Sequence, residues 1–239
     1  MKLSYNLKTL SHTPTFDLLI TLSTLFVIKW IFLQYETTWT FAGPISLLSA
    51  LAVATWCLNR NKETWKELGL VHSGSFLKLF LWTLFALIVT MAVGSLISLL
   101  ANHFDLTSND IPEQVTDAFQ NRFDSLPGNI PVYLFWLVVS WVVGGFAEEM
   151  LFRGFMITRF EKVFSKIPFA IVIAIVLQAI IFGQQHIYYQ GMVGFIATGS
   201  IALVSGGIYL LCKRRLWPLI LSHGLANTIG MTMLFLGGS

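Results

Sequence analysis

The sequence predicts an all-α, polytopic membrane protein, a transmembrane helical bundle of about seven spanning helices. Of its 239 residues, 55% are hydrophobic and 11% are charged, whereas a soluble domain carries about 25% charged residues. Apolar runs of the length that crosses a bilayer, about 17–25 residues each, recur along the chain. We place them near 16–35, 39–58, 76–100, 131–161, 167–187, 191–212 and 217–236.

The basic residues predict how this bundle is oriented, because cytoplasmic loops are enriched in Lys and Arg. If the amino terminus is cytoplasmic and the helices alternate in direction, most of the basic residues fall on the cytoplasmic side. They are Lys2, Lys8, Arg60, Lys62, Lys66, Lys78, Arg153, Arg159, Lys162, Lys166, Lys213, Arg214 and Arg215. The opposite side then carries an acidic loop at 101–130. Lys29 is left near the outer end of the first helix, where its ammonium group is expected to reach the interface. This topology accounts for the net charge of +3, so no nucleic-acid partner is predicted.

Two adjacent carboxylates, Glu148 and Glu149, lie inside the fourth apolar run. A helix over 131–161 measures about 45 Å, against about 30 Å of hydrocarbon. We therefore expect a long helix, kinked near Gly144, that holds both carboxylates within the bilayer. Charged groups at such depth cost roughly 2.5–3.5 kcal/mol each on insertion scales, so they indicate a functional site.

Helical spacing gives the two carboxylates different neighbours. Glu149 and Arg153 are i and i+4, so their side chains are expected to pair on one face. Glu148 points about 100° away from Glu149 and is left without that partner. The unpaired carboxylate is the candidate for chemistry.

Two more polar sites occur in the following apolar runs. His186 ends the fifth run, and His223 and Asn227 stand at i and i+4 in the seventh. Polar groups buried in a membrane must find partners, and these have chiefly one another or water. Together with Glu148 they predict one polar site built from three helices.

These three motifs resemble those of the CAAX protease and bacteriocin-processing family of intramembrane endopeptidases, also called CPBP or Abi. The matching residues are Glu148-Glu149-x-x-x-Arg153, Phe182-x-x-x-His186 and His223-x-x-x-Asn227, in that order, with flanks at Phe152-Arg153-Gly154 and Leu216-Trp217-Pro218. The resemblance covers roughly residues 143–236. It divides the chain into residues 1–130, with the amino-terminal transmembrane helices and the acidic extracytoplasmic loop, and residues 131–239, a catalytic core of CPBP type.

The resemblance implies a glutamate-dependent peptidase that needs no cofactor. Glu148 would be the general base, and His186 would help to hold and polarise the attacking water. His223 and Asn227 would stabilise the oxyanion, while Glu149 and Arg153 would support the site structurally. General chemistry agrees, because a carboxylate accepts protons better in a low dielectric, and imidazole and amide donors suit a developing oxyanion.

Other interpretations of the same residues stay open. Glu148, His186 and His223 are alternative zinc ligands with an open fourth position, although the sequence has no HExxH motif and Asn227 is a poor zinc ligand. A non-proteolytic membrane scaffold or immunity factor of the same fold is the alternative from another class. A transporter is less favoured, because charged residues concentrate at one site rather than along a path.

The expected partners follow from this assignment. They are a peptide or a membrane-protein tail as the substrate, and the lipid bilayer. By analogy with short stand-alone members of the family, the expected location is a bacterial cytoplasmic membrane.

Overall fold

The computed structural model describes residues 13–71, 74–104, 106 and 113–237, and every regular element within these ranges is a helix. The long helix α6, Ile130–Val163, has an α-helical start, a π-helical middle at Ser140–Met156 and an α-helical end at Ile157–Val163. The other helices are α1 Pro14–Leu33, α2 Glu36–Trp39, α3 Ala42–Arg60, α4 Phe76–His103, α5 Glu113–Asn121, α7 Ala170–Gln184, α8 Ile187–Leu211 and α9 Trp217–Phe235.

Five of these helices, α1, α3, α4, α6 and α8, are long and apolar enough to cross a membrane. The all-helical, membrane-integral class predicted from composition is therefore confirmed. Each of the seven apolar runs contains a helix, and α7, at 15 residues, is the shortest of those seven. The total of seven crossings and the cytoplasmic amino terminus stay predictions, as does the division at residue 130. Lys2 and Lys8, and residues 105 and 107–112 of the acidic loop, lie outside the described residues.

Local sequence signals explain where several helices begin. Thr13 and Asn129 precede α1 and α6, and their side-chain oxygens accept hydrogen bonds from backbone N–H groups of the first turn. A proline follows within the first two helical positions in both cases, where its missing N–H costs nothing. Before α7, Phe169 adopts a left-handed conformation with φ 62°, which separates α7 from the end of α6.

The helices pack around α6. Helix α1 packs on α3. Helix α1 contacts the carboxyl-terminal part of α6, whereas α3 and α9 lie against its π-helical segment. Helix α4 lies across α8 and α9, and α7 packs along α8. Large apolar side chains such as Phe76, Leu99 and Leu211 are exposed on the outside, where lipid chains replace water as the neighbour.

An ion-pair network joins three helices at one end of the bundle. Asp17, fully buried at the start of α1, is 2.5 Å from Arg60 of α3 and 2.8 Å from Arg159 of α6. Glu63 binds Arg159 at 2.5 Å and also binds Lys162. Hydrogen bonds from these two residues lower the pKa of Glu63 against the opposing effect of burial.

The network gives the basic residues a structural task in addition to the topological one inferred from sequence. Arg214 forms a further bidentate pair with Glu161, at 2.6 and 2.8 Å. The basic residues of three connections therefore share one end of the bundle, as the positive-inside pattern requires.

Removing the central carboxylate should destabilise the protein. In Asp17→Asn the buried guanidinium of Arg159 loses one of its two carboxylate partners, which typically costs about 3–5 kcal/mol for a buried pair. Thermal unfolding in detergent should show a clear fall in Tm. The matched control is Glu36→Gln, which removes one exposed carboxylate; equal Tm values for the two variants would contradict a stabilising network.

Candidate active site

The π-helical turns of α6 place Glu148 and Glu149 in different surroundings. The side chain of Glu148 is 19% exposed and borders two cavities, whereas that of Glu149 is 3% exposed. π-helical turns are rare and are frequently found at functional sites. The long helix expected from the sequence is present, and π-helical winding from Ser140 runs through the position where we expected a glycine kink.

Glu149 holds two partners at once. Its Oε2 lies 3.2 Å from Nε of Arg153, the i,i+4 pair expected from spacing. Its Oε1 lies 2.8 Å from Nδ1 of His223, a contact that the sequence did not predict. The guanidinium of Arg153 also stacks over the ring of Phe182, 4.7 Å from its centre. Glu149 therefore links α6 to α9, and Arg153 links α6 to α7.

His223 faces Glu148 with its other nitrogen. Because a carboxylate only accepts hydrogen bonds, Nδ1 of His223 carries the hydrogen shared with Glu149. Its Nε2 lies 3.9 Å from Oε2 of Glu148, too far for a direct hydrogen bond. The two side chains thus face each other across a short gap at the edge of the cavities.

Asn227 lies one helical turn beyond His223, and its amide is held in place. Its Nδ2 donates a hydrogen bond to the carbonyl of Ser140 at 3.0 Å. Gly144 makes room for this amide, because a Cβ on Gly144 would lie only 2.5 Å from Nδ2 of Asn227. Gly144, which precedes Glu148 by four residues, is therefore required for close approach between α6 and α9.

His186 stands at the junction between α7 and α8. Its Nδ1 lies 2.9 Å from the carbonyl oxygen of Phe182, so that nitrogen carries the donated hydrogen. The other ring nitrogen, Nε2, then has a lone pair available. The ring lies between Phe182 and Tyr189, with centre-to-centre distances of 4.9 and 5.7 Å.

Two adjoining cavities, of about 300 and about 250 Å3, meet at these residues. The first reaches α4 and α8 through Met91 and Ile201. The second reaches α1 and the connection after α5 through Lys29 and Arg122. Both are lined by all four side chains predicted to be catalytic, namely Glu148, His186, His223 and Asn227. The structure therefore brings together residues from α6, α9 and the α7–α8 junction.

Lys29 is a site residue that sequence reasoning placed wrongly. Its side chain does not reach outward to an interface: the residue is 9% exposed, and Nζ donates a hydrogen bond to the carbonyl of Gln185 at 3.0 Å. Nζ also lies 4.7 Å from the ring centre of Tyr188. The only available signal was a lysine in an otherwise apolar run, which does not say which way the side chain points.

The contacts of the two histidines also bear on the zinc alternative. Among the described residues, no group of three or more His, Cys, Asp or Glu side chains is arranged to hold a metal ion. His186 and His223 each use Nδ1 for a hydrogen bond, which leaves only Nε2 of each ring toward the cavities. Zinc-binding histidines commonly have their other ring nitrogen held by a carbonyl or a carboxylate in this way, so zinc binding by Glu148, His186 and His223 stays an alternative.

Comparison with known proteins agrees with the three motifs. The model of the Rce1-like family, described as type II CAAX prenyl endopeptidase, matches residues 130–229. No curated protein and no solved structure matches the chain. The expected resemblance is therefore confirmed, and it indicates a membrane protease of the CAAX type.

The close approach of α6 and α9 can be tested by adding one methyl group. A Cβ on Gly224 would lie 2.5 Å from the ring of Trp141, so Gly224→Ala must displace a packed aromatic side chain. We expect a loss of about 1–3 kcal/mol in unfolding free energy, the usual cost of overpacking. Thermal unfolding in detergent measures it.

The control lies on the same helix. Gly230 has open space at its Cβ position, so Gly230→Ala should leave stability unchanged or raise it by up to about 1 kcal/mol through helix propensity. An unchanged Tm for Gly224→Ala would show that α6 and α9 do not pack as closely as described.

Proposed function

From the similarity of residues 130–229 to the Rce1-like endopeptidases, we propose that the protein is an intramembrane endopeptidase. It hydrolyses peptides or membrane-protein tails with a water molecule activated by Glu148 and His186. The observation that carries the proposal is the convergence of Glu148, His186, His223 and Asn227 on shared cavities.

Glu148 is the general base in this proposal. It borders both cavities, and Nε2 of His223, at 3.9 Å from its Oε2, is too distant for a hydrogen bond, so its oxygens remain accessible to water. His186 offers the lone pair of Nε2 toward the same space, because Nδ1 is engaged with Phe182. A water between these groups can give a proton to Glu148 while its oxygen attacks the peptide carbonyl. Microscopic reversibility lets the protonated Glu148 pass that proton to the leaving amine.

His223 and Asn227 stabilise the oxyanion. Nε2 of His223 is the nitrogen that faces the cavities. Because Nδ1 already carries the hydrogen shared with Glu149, Nε2 donates to the developing charge when His223 is the doubly protonated imidazolium, whose positive charge the carboxylate of Glu149 balances. Asn227 uses one amide hydrogen on Ser140 and retains a second. Donors that are already oriented in a water-poor site stabilise such charge strongly, because they need no reorganisation during the reaction.

Glu149 and Arg153 act as positioning residues. The carboxylate of Glu149 fixes Nδ1 of His223, and Arg153 fixes the carboxylate. Spacing alone indicated only a structural pair of Glu149 and Arg153. In this proposal Glu149 also contacts His223, a proposed oxyanion donor, directly. The proposed substrates are peptides or membrane-protein tails, of which the CAAX tails in the family's description are one kind. The proposed location is a bacterial cytoplasmic membrane.

The first test compares peptide cleavage by wild type and Glu148→Gln. The substitution keeps the shape of the side chain and removes its proton affinity, so kcat should fall by roughly 10²–10⁴-fold, the usual contribution of general-base catalysis. Purified protein in detergent is assayed on a peptide library, with folding checked by thermal unfolding. Glu36→Gln is the matched control and should cleave as wild type does. Full activity of Glu148→Gln would contradict the proposed role of Glu148 as the general base.

A chelator distinguishes the two proposed chemistries. Cleavage by the glutamate mechanism should continue at an unchanged rate in the presence of a zinc chelator. Loss of cleavage that zinc restores would instead make Glu148, His186 and His223 metal ligands. If wild type cleaves nothing and Glu148→Ala still supports the cellular phenotype, the scaffold alternative replaces the peptidase.

A further inference from the structure

A buried cation beside the proposed catalytic site has no carboxylate partner. Lys29 is 9% exposed, and among the described residues no Asp or Glu oxygen lies within 4 Å of its Nζ. Its contacts are the carbonyl of Gln185 and the ring of Tyr188. These satisfy part of the hydrogen-bonding capacity of an ammonium group, which has three donors. The carboxylate of Glu148, which lines the same cavity, forms no direct ion pair with Lys29 among the described residues.

A second cation, Arg122, lines the same cavity from the connection between α5 and α6. Its guanidinium lies over four aromatic rings, those of Phe119, Phe123, Trp136 and Tyr189, at 3.8 to 6.0 Å from their centres. Its Nε is buried without a hydrogen-bond partner in the described part of the chain. Among the described residues, no Asp or Glu forms an ion pair with it either.

The charge around this cavity is unbalanced. The described residues that line it include two cations, Lys29 and Arg122, and one carboxylate, Glu148. Arg122 belongs to the connection outside the spanning helices, whereas Lys29 lies within α1 and is bound next to His186, at Gln185. The cationic groups thus lead from the end of the bundle toward the proposed catalytic residues.

We propose that Lys29, with Arg122 on the wall of the same cavity, forms a subsite that binds a carboxylate of the peptide substrate, either at its terminus or on an acidic side chain. The subsite would make the enzyme prefer peptides with negative charge on one side of the scissile bond. This inference rests on the proposed peptidase function. A lipid phosphate is the less suitable occupant, because the cavity is only about 250 Å3 and also holds Glu148 and His186. Any anion bound at Lys29 is close to the reacting atoms, as part of a substrate would be.

The test measures binding and cleavage of paired peptides by the full-length protein in detergent. The probes are fluorescein-labelled peptides of alanine and leucine, one with a free carboxyl terminus and one amidated, and a second pair with an internal Glu or Gln. We expect the charged member of at least one pair to bind roughly 10-fold more tightly, the effect of one charge-assisted hydrogen bond. The pair that shows the preference identifies the source of the carboxylate.

The preference should depend on the charge at residue 29. Lys29→Met should bind both members of a pair equally, whereas Lys29→Arg should keep the preference. Lys78→Met, which removes a lysine that lines a different cavity, should behave as wild type. If Lys29 only supports the α7–α8 junction, Lys29→Met would weaken both peptides by the same factor, and the subsite would be refuted.

Three further outcomes distinguish the carboxylate subsite from a lipid-binding site and from the proposed peptidase function. Equal binding of all peptides by wild type, with displacement by phosphatidylglycerol and not by phosphatidylcholine, would assign the cations to a lipid headgroup and overturn the subsite. Cleavage that requires Glu148 but shows no charge preference would also overturn it and leave the peptidase intact. Charge-dependent binding lost in Lys29→Met, with no cleavage of the peptide library and a phenotype that Glu148→Ala still supports, would support the carboxylate site and overturn the peptidase function.

Discussion

The carboxylate of Glu149 is the contact on which the geometry of the site depends. It is almost fully buried, and its two oxygens face an arginine of its own helix and a histidine of α9. A buried charge of this kind is tolerated only when it is well paired, so Arg153 and His223 are constrained to stay where they are. His223 then presents its free nitrogen to Glu148, and the two adjacent glutamates take different roles from different surroundings.

The backbone makes this arrangement possible in two ways. Both glutamates lie in the π-helical segment of α6, which packs against α9. Glycines at this contact let α6 and α9 approach each other closely. A Cβ on Gly145 would lie 3.2 Å from the backbone of Gly224, and a Cβ on Gly144 would meet Asn227. Small residues at helix contacts commonly serve such close approach in membranes. Stability and site geometry are therefore coupled, because the residues that permit packing also aim the polar groups.

Much of this could be predicted from the sequence. Long apolar runs indicate the helices, and i,i+4 spacing predicts the ion pair between Glu149 and Arg153 together with the shared face of His223 and Asn227. The resemblance joined these motifs into one site. Pairing between distant residues could not be predicted, since spacing describes one helix at a time. The contact of Glu149 with His223, the network around Asp17 and the inward direction of Lys29 all depend on how helices pack.

The same limit applies to the glycines. Gly144 and Gly145 suggested a kink from sequence, because glycine weakens a helix wherever it occurs. Their role as the contact surface for α9 depends on Asn227 and Gly224, which are about eighty residues away along the chain. A single sequence contains both partners without indicating that they meet.

The central claim is that Glu149 and His223 act as one unit, and a double-mutant cycle on peptide cleavage tests it most directly. The values to compare are kcat/KM for wild type, Glu149→Gln, His223→Ala and the double variant. If Glu149 works by holding His223, the double variant should be about as active as the less active of the two single variants. The reason is that the effects of mutating residues that act as a unit do not add. Losses that multiply in the double variant would show that the two side chains act independently, and would contradict this account.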